Sequence, residues 1–188
     1  MNVAKALAAG MIGLILFLLF DLFVNTGYGN LSFSQVTEMF GRVAPLFFGN
    51  SGYIIEGNIS TTRLPQLGFG NMSNFSHVDV MGDTALGNKI IAFIYDSKGK
   101  AISQYNKQNL ESLFSYESDS SITEINNSKI DNATFYTIVT KLNIGNSTMN
   151  FTTFGSAFVY KNVVIVGTFE NKQLDYNVTS TLIREMSK

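Results

Sequence analysis

Residues 6–24 form an unbroken apolar run in which Asp21 is the only charge, and this run constrains the chain more than any other feature. As a helix rising about 1.5 Å per residue it spans about 28 Å, close to the ~30 Å hydrocarbon core of a bilayer. A cleaved secretory signal is the competing reading. Its apolar region is shorter, about 7–15 residues, and ends at small residues spaced for cleavage. Here the run closes on Phe20, Asp21, Leu22, Phe23 and Val24, which offers no such site. The expectation is an uncleaved transmembrane helix with Met1 or Asn2 as the N-terminus. Lys5 precedes the run, and the first basic residue after it is Arg42. The positive-inside rule then puts residues 1–5 in the cytoplasm and residues 25–188 outside the cell.

The apolar run carries a face. Ala6 with Gly10, and Ala9 with Gly13, are two small-xxx-small pairs, the spacing that lets membrane helices approach closely. Asp21 lies eleven residues after Gly10, about 20° from the same face at about 100° per residue. A carboxylate beside a stripe of small residues suggests a partner helix that satisfies it. The plainer reading is that Asp21, three residues from the outer end, reaches water. The expected partners are the lipid bilayer and, through this helix, other membrane protein subunits.

A second feature bears on topology. The triplet N-x-[ST], an acceptor for N-linked glycans and hence a mark of exported surface, occurs at Asn30, Asn58, Asn71, Asn74, Asn126, Asn132, Asn146, Asn150 and Asn177. With 19 Asn, 18 Ser and 15 Thr in 188 residues, about three such triplets would arise by chance. The excess agrees with the charge rule, which was reached independently. Asn30 sits six residues past the apolar run, where a membrane-bound transferase has least room, so it is expected to be the site most often empty. Dense sequons without disulfides resemble the N-glycosylated surface layers and filaments of archaea. In the same way, Lys5-Ala6-Leu7-Ala8 ahead of an apolar helix is similar to the class III signal of archaeal type IV pilins. That resemblance implies cleavage before Leu7 and packing of the helix inside a filament.

Composition removes several function classes. There is no cysteine, which excludes disulfides, thiol catalysis and zinc sites built on Cys. Net charge is −1 with no basic run, so the electrostatic footprint of a nucleic-acid binder is missing. Only 14% of residues are charged, so surface polarity rests on Asn, Ser and Thr, and the surface charge varies little with pH, as suits an acidic or otherwise harsh exterior.

The outside domain reads as α+β with a mostly antiparallel sheet and flanking helices. A helix is expected over residues 31–45, with Ser32 and Gln35 as a capping box, Leu31 and Val36 as a hydrophobic staple, and Pro45 at its end. Strands are expected over 53–59, 77–80 and 89–95, a turn at 96–99 and a helix over 103–114. The acidic, Ser-rich piece 116–127 reads as a loop. Residues 135–144, 149–154, 156–160 and 163–169 form a meander, with Gly145-Asn146 and Lys161-Asn162 as tight turns. Val163 to Val166 are apolar on both faces, which makes that strand central. A closing helix covers 175–186, with Val178, Leu182 and Met186 on one side.

The chemistry-bearing residues are few. His77 is the sole histidine, and no nucleophile elbow, phosphate loop or dinucleotide fingerprint occurs. His77, Asp79 and Asp83 are the one candidate metal set, but a solvated strand edge is the commoner meaning of such a pattern. The aromatic residues fall at core spacings. No catalytic residue, metal or cofactor is therefore assigned. The reading is a non-catalytic accessory or structural subunit of a cell-surface or membrane complex. A pilin-like filament subunit and an extracellular domain that binds or senses a small ligand are the alternatives.

Overall fold

The computed structural model describes residues 29–50, 52–64, 72–85, 87–106, 120–130, 132–144 and 147–188. Residues 6–24, with Ala6, Ala9, Gly10, Gly13 and Asp21, lie outside the described residues. Among those described, no helix is long and apolar enough to cross a membrane.

Seven strands build one sheet in the order β1-β2-β3-β7-β6-β5-β4, every neighbouring pair antiparallel. They are β1 (Tyr53–Glu56), β2 (His77–Asp83), β3 (Lys89–Ile94), β4 (Ser120–Ile130), β5 (Ala133–Ile144), β6 (Ser147–Tyr160) and β7 (Val163–Phe169). The helices are α1 (Phe33–Phe48), α2 (Lys98–Gln104) and α3 (Lys172–Met186). β7 is the middle strand, as its apolar run requires. Val163, Ile165 and Phe169 pack against α1 and α3 on one face, while Val164 and Val166 pack with Ala101 of α2, Ile59, Leu64 and Met72 on the other. Strands covered on both faces lose the apolar-polar alternation of a half-exposed sheet.

The helix ends follow their cap chemistry. Ser32 Oγ accepts from Gln35 N at 3.3 Å and Gln35 Oε1 accepts from Ser32 N at 2.8 Å, closing the expected capping box. Leu31 and Val36 share the same apolar cluster. Pro45 does not end the helix, contrary to expectation. It sits inside α1, which runs on to Phe48. A proline costs one hydrogen bond and crowds the carbonyl four residues back. Here that residue is the exposed Gly41, and the extra turn buries Phe48 at 2% exposure.

Four further expectations change. Residues 96–99 do not make a turn, because Ser97 Oγ accepts from Lys100 N and starts α2 there, well before residue 103. The piece 116–127 is not wholly a loop. From Ser120 it is β4, paired with β5 through ten residue pairs around one irregularity between Ile122 and Glu124. Its polar composition fits an edge strand, which solvent covers and which polar residues protect from pairing with other chains. Residues 149–154 and 156–160 are one strand, with Gly155 opposite Tyr136 in the ladder. The first expected strand is shorter than 53–59, since Asn58 takes a φ of +54° and turns the chain away after β1.

β4, β5 and β6 are 11, 12 and 14 residues long, whereas β7 has 7 and pairs with β6 only from Phe154 onward. The ladder of β4–β6 therefore projects past the helical layer, and residues 147–152 of β6 are exposed.

Candidate functional site

A groove of about 180 Å³ lies where the start of α3 crosses this ladder. Ser128 and Ile130 of β4, Phe135, Tyr136 and Thr137 of β5, and Phe154 of β6 form its floor and sides. Lys172, Asp175 and Tyr176 close it from the helix. The register explains the grouping. Phe135 lies opposite both Ser128 and Ser156, and Thr137 lies opposite Phe154, so these side chains leave the sheet toward α3. The rings of Phe135 and Tyr176 are 5.8 Å apart, bridging sheet and helix.

Asp175 is 1% exposed. Its Oδ1 accepts from Thr179 Oγ1 at 3.2 Å, and that hydroxyl lies 2.7 Å from Ser156 Oγ. Burial pushes the carboxyl up to about 6, with the Ser156 and Thr179 hydroxyls pulling the other way. An expected helix start at residue 175 puts this acid at a solvated end. In fact Asn171 caps the helix, its Oδ1 accepting from Gln173 N and Leu174 N. The helix thus starts one turn earlier, and Asp175 lies inside it on the buried face with Val178, Thr179, Leu182 and Met186. The spacing 175, 178, 182, 186 was the available signal.

Of the sequons, Asn58, Asn74, Asn132, Asn150 and Asn177 are exposed and Asn30 is half-buried. Asn30 Nδ2, the atom that would carry a glycan, donates to Asp96 O at 2.9 Å. Asn126 lies in β4 opposite Thr137, while Asn71 and Asn146 lie outside the described residues. Several sequon hydroxyls also serve the fold. Ser32 caps α1, Ser76 Oγ bonds Asp96, Thr134 Oγ1 lies 3.1 Å from the Tyr105 hydroxyl, and Thr179 is buried beside Asp175. At Asn150 both the asparagine and Thr152 are exposed on the projecting ladder.

His77, Asp79 and Asp83 are not brought together. Asp79 is fully buried under α1, accepting from Thr37 Oγ1 at 2.6 Å and Asn58 N at 3.1 Å, and burial nonetheless raises its pKa. Asp83 instead ties the β2–β3 turn, accepting from Gly87 N, Asn88 N and Asn88 Nδ2. His77 is exposed, with its ring 5.3 Å from Phe33 and Nδ1 3.3 Å from Asn58 Oδ1. Among the described residues, no three His, Asp or Glu side chains cluster to hold a metal ion.

No protein-family model and no curated protein sequence matches this chain. Its fold does have a counterpart among solved structures. The extracellular domain of PknH from Mycobacterium tuberculosis superposes with a TM-score of 0.50, covering 84% of this chain and 97% of that one at 6% identity. The described residues thus form an α+β domain with the fold of that extracellular domain, one antiparallel sheet flanked by helices.

Proposed function

We propose that this chain is a non-catalytic, N-glycosylated surface protein, held in the membrane by residues 6–24 with residues 25–188 outside, acting as an accessory subunit of a membrane or cell-surface complex. The observation that carries the reading is the placement of the sequons. Five of the six whose side chains are described are exposed, and they are spread over loops, a strand and a helix of the domain. A glycan on each would meet solvent rather than the core. The fold shared with an extracellular domain supports the same side of the membrane. The role as subunit rests on the small-residue face of residues 6–13, with Asp21 near it, which fits a second membrane helix.

Peptide mapping of protein from its native host tests the glycan assignment. Asn150 is expected to be occupied most fully and Asn30 least, because Asn30 Nδ2 is already engaged. Nine unmodified asparagines would overturn the glycoprotein reading. Sidedness is measured with a membrane-impermeant maleimide on intact cells, since the chain has no cysteine of its own. Ile102→Cys, at an exposed position of α2, is expected to label. Asn2→Cys is expected to stay unlabelled until the cells are opened, and the reverse pattern would overturn the orientation.

A further inference from the structure

We propose that the groove between the start of α3 and strands β4–β6 binds a short zwitterion, its ammonium end against Asp175 within the aromatic walls and its carboxylate at Lys172. The inference is independent of the subunit reading above. Three observations lead to it. On its helix side the groove has one negative and one positive group, the buried Asp175 and the exposed Lys172. Among the described residues these two are paired neither with each other nor with any other charge, although each is the natural partner of an opposite charge. Phe135, Phe154 and Tyr176 line the same groove, and aromatic π faces attract an organic cation.

A buried carboxylate without a cation is costly to keep. Among the described residues, the side-chain hydrogen bonds of Asp175 come from the Thr179 and Ser156 hydroxyls, both neutral, so no bonded cation balances its charge. An ammonium group entering the groove supplies that balance. The size agrees, since a cavity of about 150 Å³ holds benzene, and about 180 Å³ takes a compound slightly larger. Among the described residues, the titratable or charged groups that line the groove with Asp175 are Lys172 and Tyr176 of its own helix and Tyr136 of β5, while β4 and β6 contribute none. The ligand's cation therefore meets one ionised acid, and binding weakens as that acid takes up a proton. With its pKa raised by burial to about 6, the affinity at pH 5 is expected to be about one-tenth of that at pH 8.

The test is equilibrium dialysis of the full chain in detergent against three probes at matched ionic strength. These are glycine betaine, choline and the uncharged isostere 3,3-dimethylbutan-1-ol. Betaine is expected to bind saturably, choline about threefold more weakly, and the isostere at least tenfold more weakly. Lys172→Ala should remove the advantage of betaine over choline. Asp175→Asn should weaken both at least tenfold and abolish the pH dependence, with its fold checked by circular dichroism. Should that variant fail to fold, Tyr176→Ala changes an exposed wall residue instead and should weaken both probes about fivefold. Equal binding of isostere and choline, or no saturable binding of betaine, would overturn the site. Choline binding as tightly as betaine would overturn the zwitterion and its use of Lys172.

Discussion

The side-chain amide of Asn162 holds the main chain of Leu31 from both sides. Its Oδ1 accepts from Leu31 N at 2.7 Å, and its Nδ2 donates to Leu31 O at 3.1 Å and to Tyr95 O at 2.8 Å. Asn162 is 2% exposed and lies in the β6–β7 turn, where its own carbonyl accepts from Tyr95 N. One residue thus fixes the entry into α1 to the ends of β3 and β7. The left-handed backbone of that turn falls on Lys161, with a φ of +52°, which leaves the Asn162 side chain free for this task.

Asn162→Ala leaves the amide and carbonyl of Leu31 and the carbonyl of Tyr95 without these partners. A loss of about 2–4 kcal/mol of unfolding free energy is expected from such orphaned groups. Guanidinium titration would measure it, and a change under about 0.5 kcal/mol would mean that water replaces the amide.

Asp175 makes the domain more stable in acid. Its folded pKa, about 6, stands above the ordinary value of 3.8, so between those values the folded chain binds more protons than the unfolded one. The carboxyl's contribution is complete below pH 3.8 and is lost as pH rises through about 6. The difference amounts to about 3 kcal/mol. Asp175→Asn should raise stability at pH 7 and flatten its fall between pH 4 and pH 7. A pH profile of the denaturation midpoint unchanged by the substitution would contradict this.

Thr37 and Asp79 join α1 to the β1–β2 edge. Thr37→Val removes the 2.6 Å hydroxyl bond and leaves a fully buried carboxyl with only Asn58 N. The expected cost is about 1–3 kcal/mol at pH 7. It should shrink in acid, because losing a bond that favours the ionised form raises the Asp79 pKa further. Unfolding at pH 7 and pH 4 compares the two, and an equal cost at both would place Asp79 in its neutral form throughout.

Replacing Gly10 and Gly13 together with Leu should release the chain from any partner that packs on that face. Close packing with a bond to Asp21 would be worth ~1–3 kcal/mol, one or two decades in association. The described domain should keep its thermal unfolding, since its core lies in residues 36–186. Co-purification of the same partners in the same amounts would show that the stripe faces lipid.

The parts of the fold legible in sequence were those set by local chemistry. Ser32 and Gln35 fix a helix start because they satisfy orphan backbone donors within four residues of one another. Val163 to Val166 declare a central strand because only cover on both faces accepts an unbroken apolar run. The proposed placement of residues 6–24 in a membrane rests on the same kind of argument, the match of an apolar length to a bilayer. Errors arose where distant burial outweighed local preference. Pro45 stops most helices, yet here the buried Phe48 carries α1 past it. The Ser-rich stretch around residue 120 lacks strand character by itself, but β5 offers it a ladder, and a backbone pairing needs no apolar side chains.

The groove could not be read from the chain at all. Sequence by itself determined which residues favour membrane, sheet, helix or glycan, because those preferences belong to single side chains and their near neighbours. Only the tertiary structure decided that Asp175 is buried, that Ser156 and Thr179 stand beside it, and that Phe135 and Phe154 face it across the sheet. Those meetings depend on strand register and on which turn of α3 meets the sheet. A shift of one residue in strand register would turn the same side chains to the opposite face.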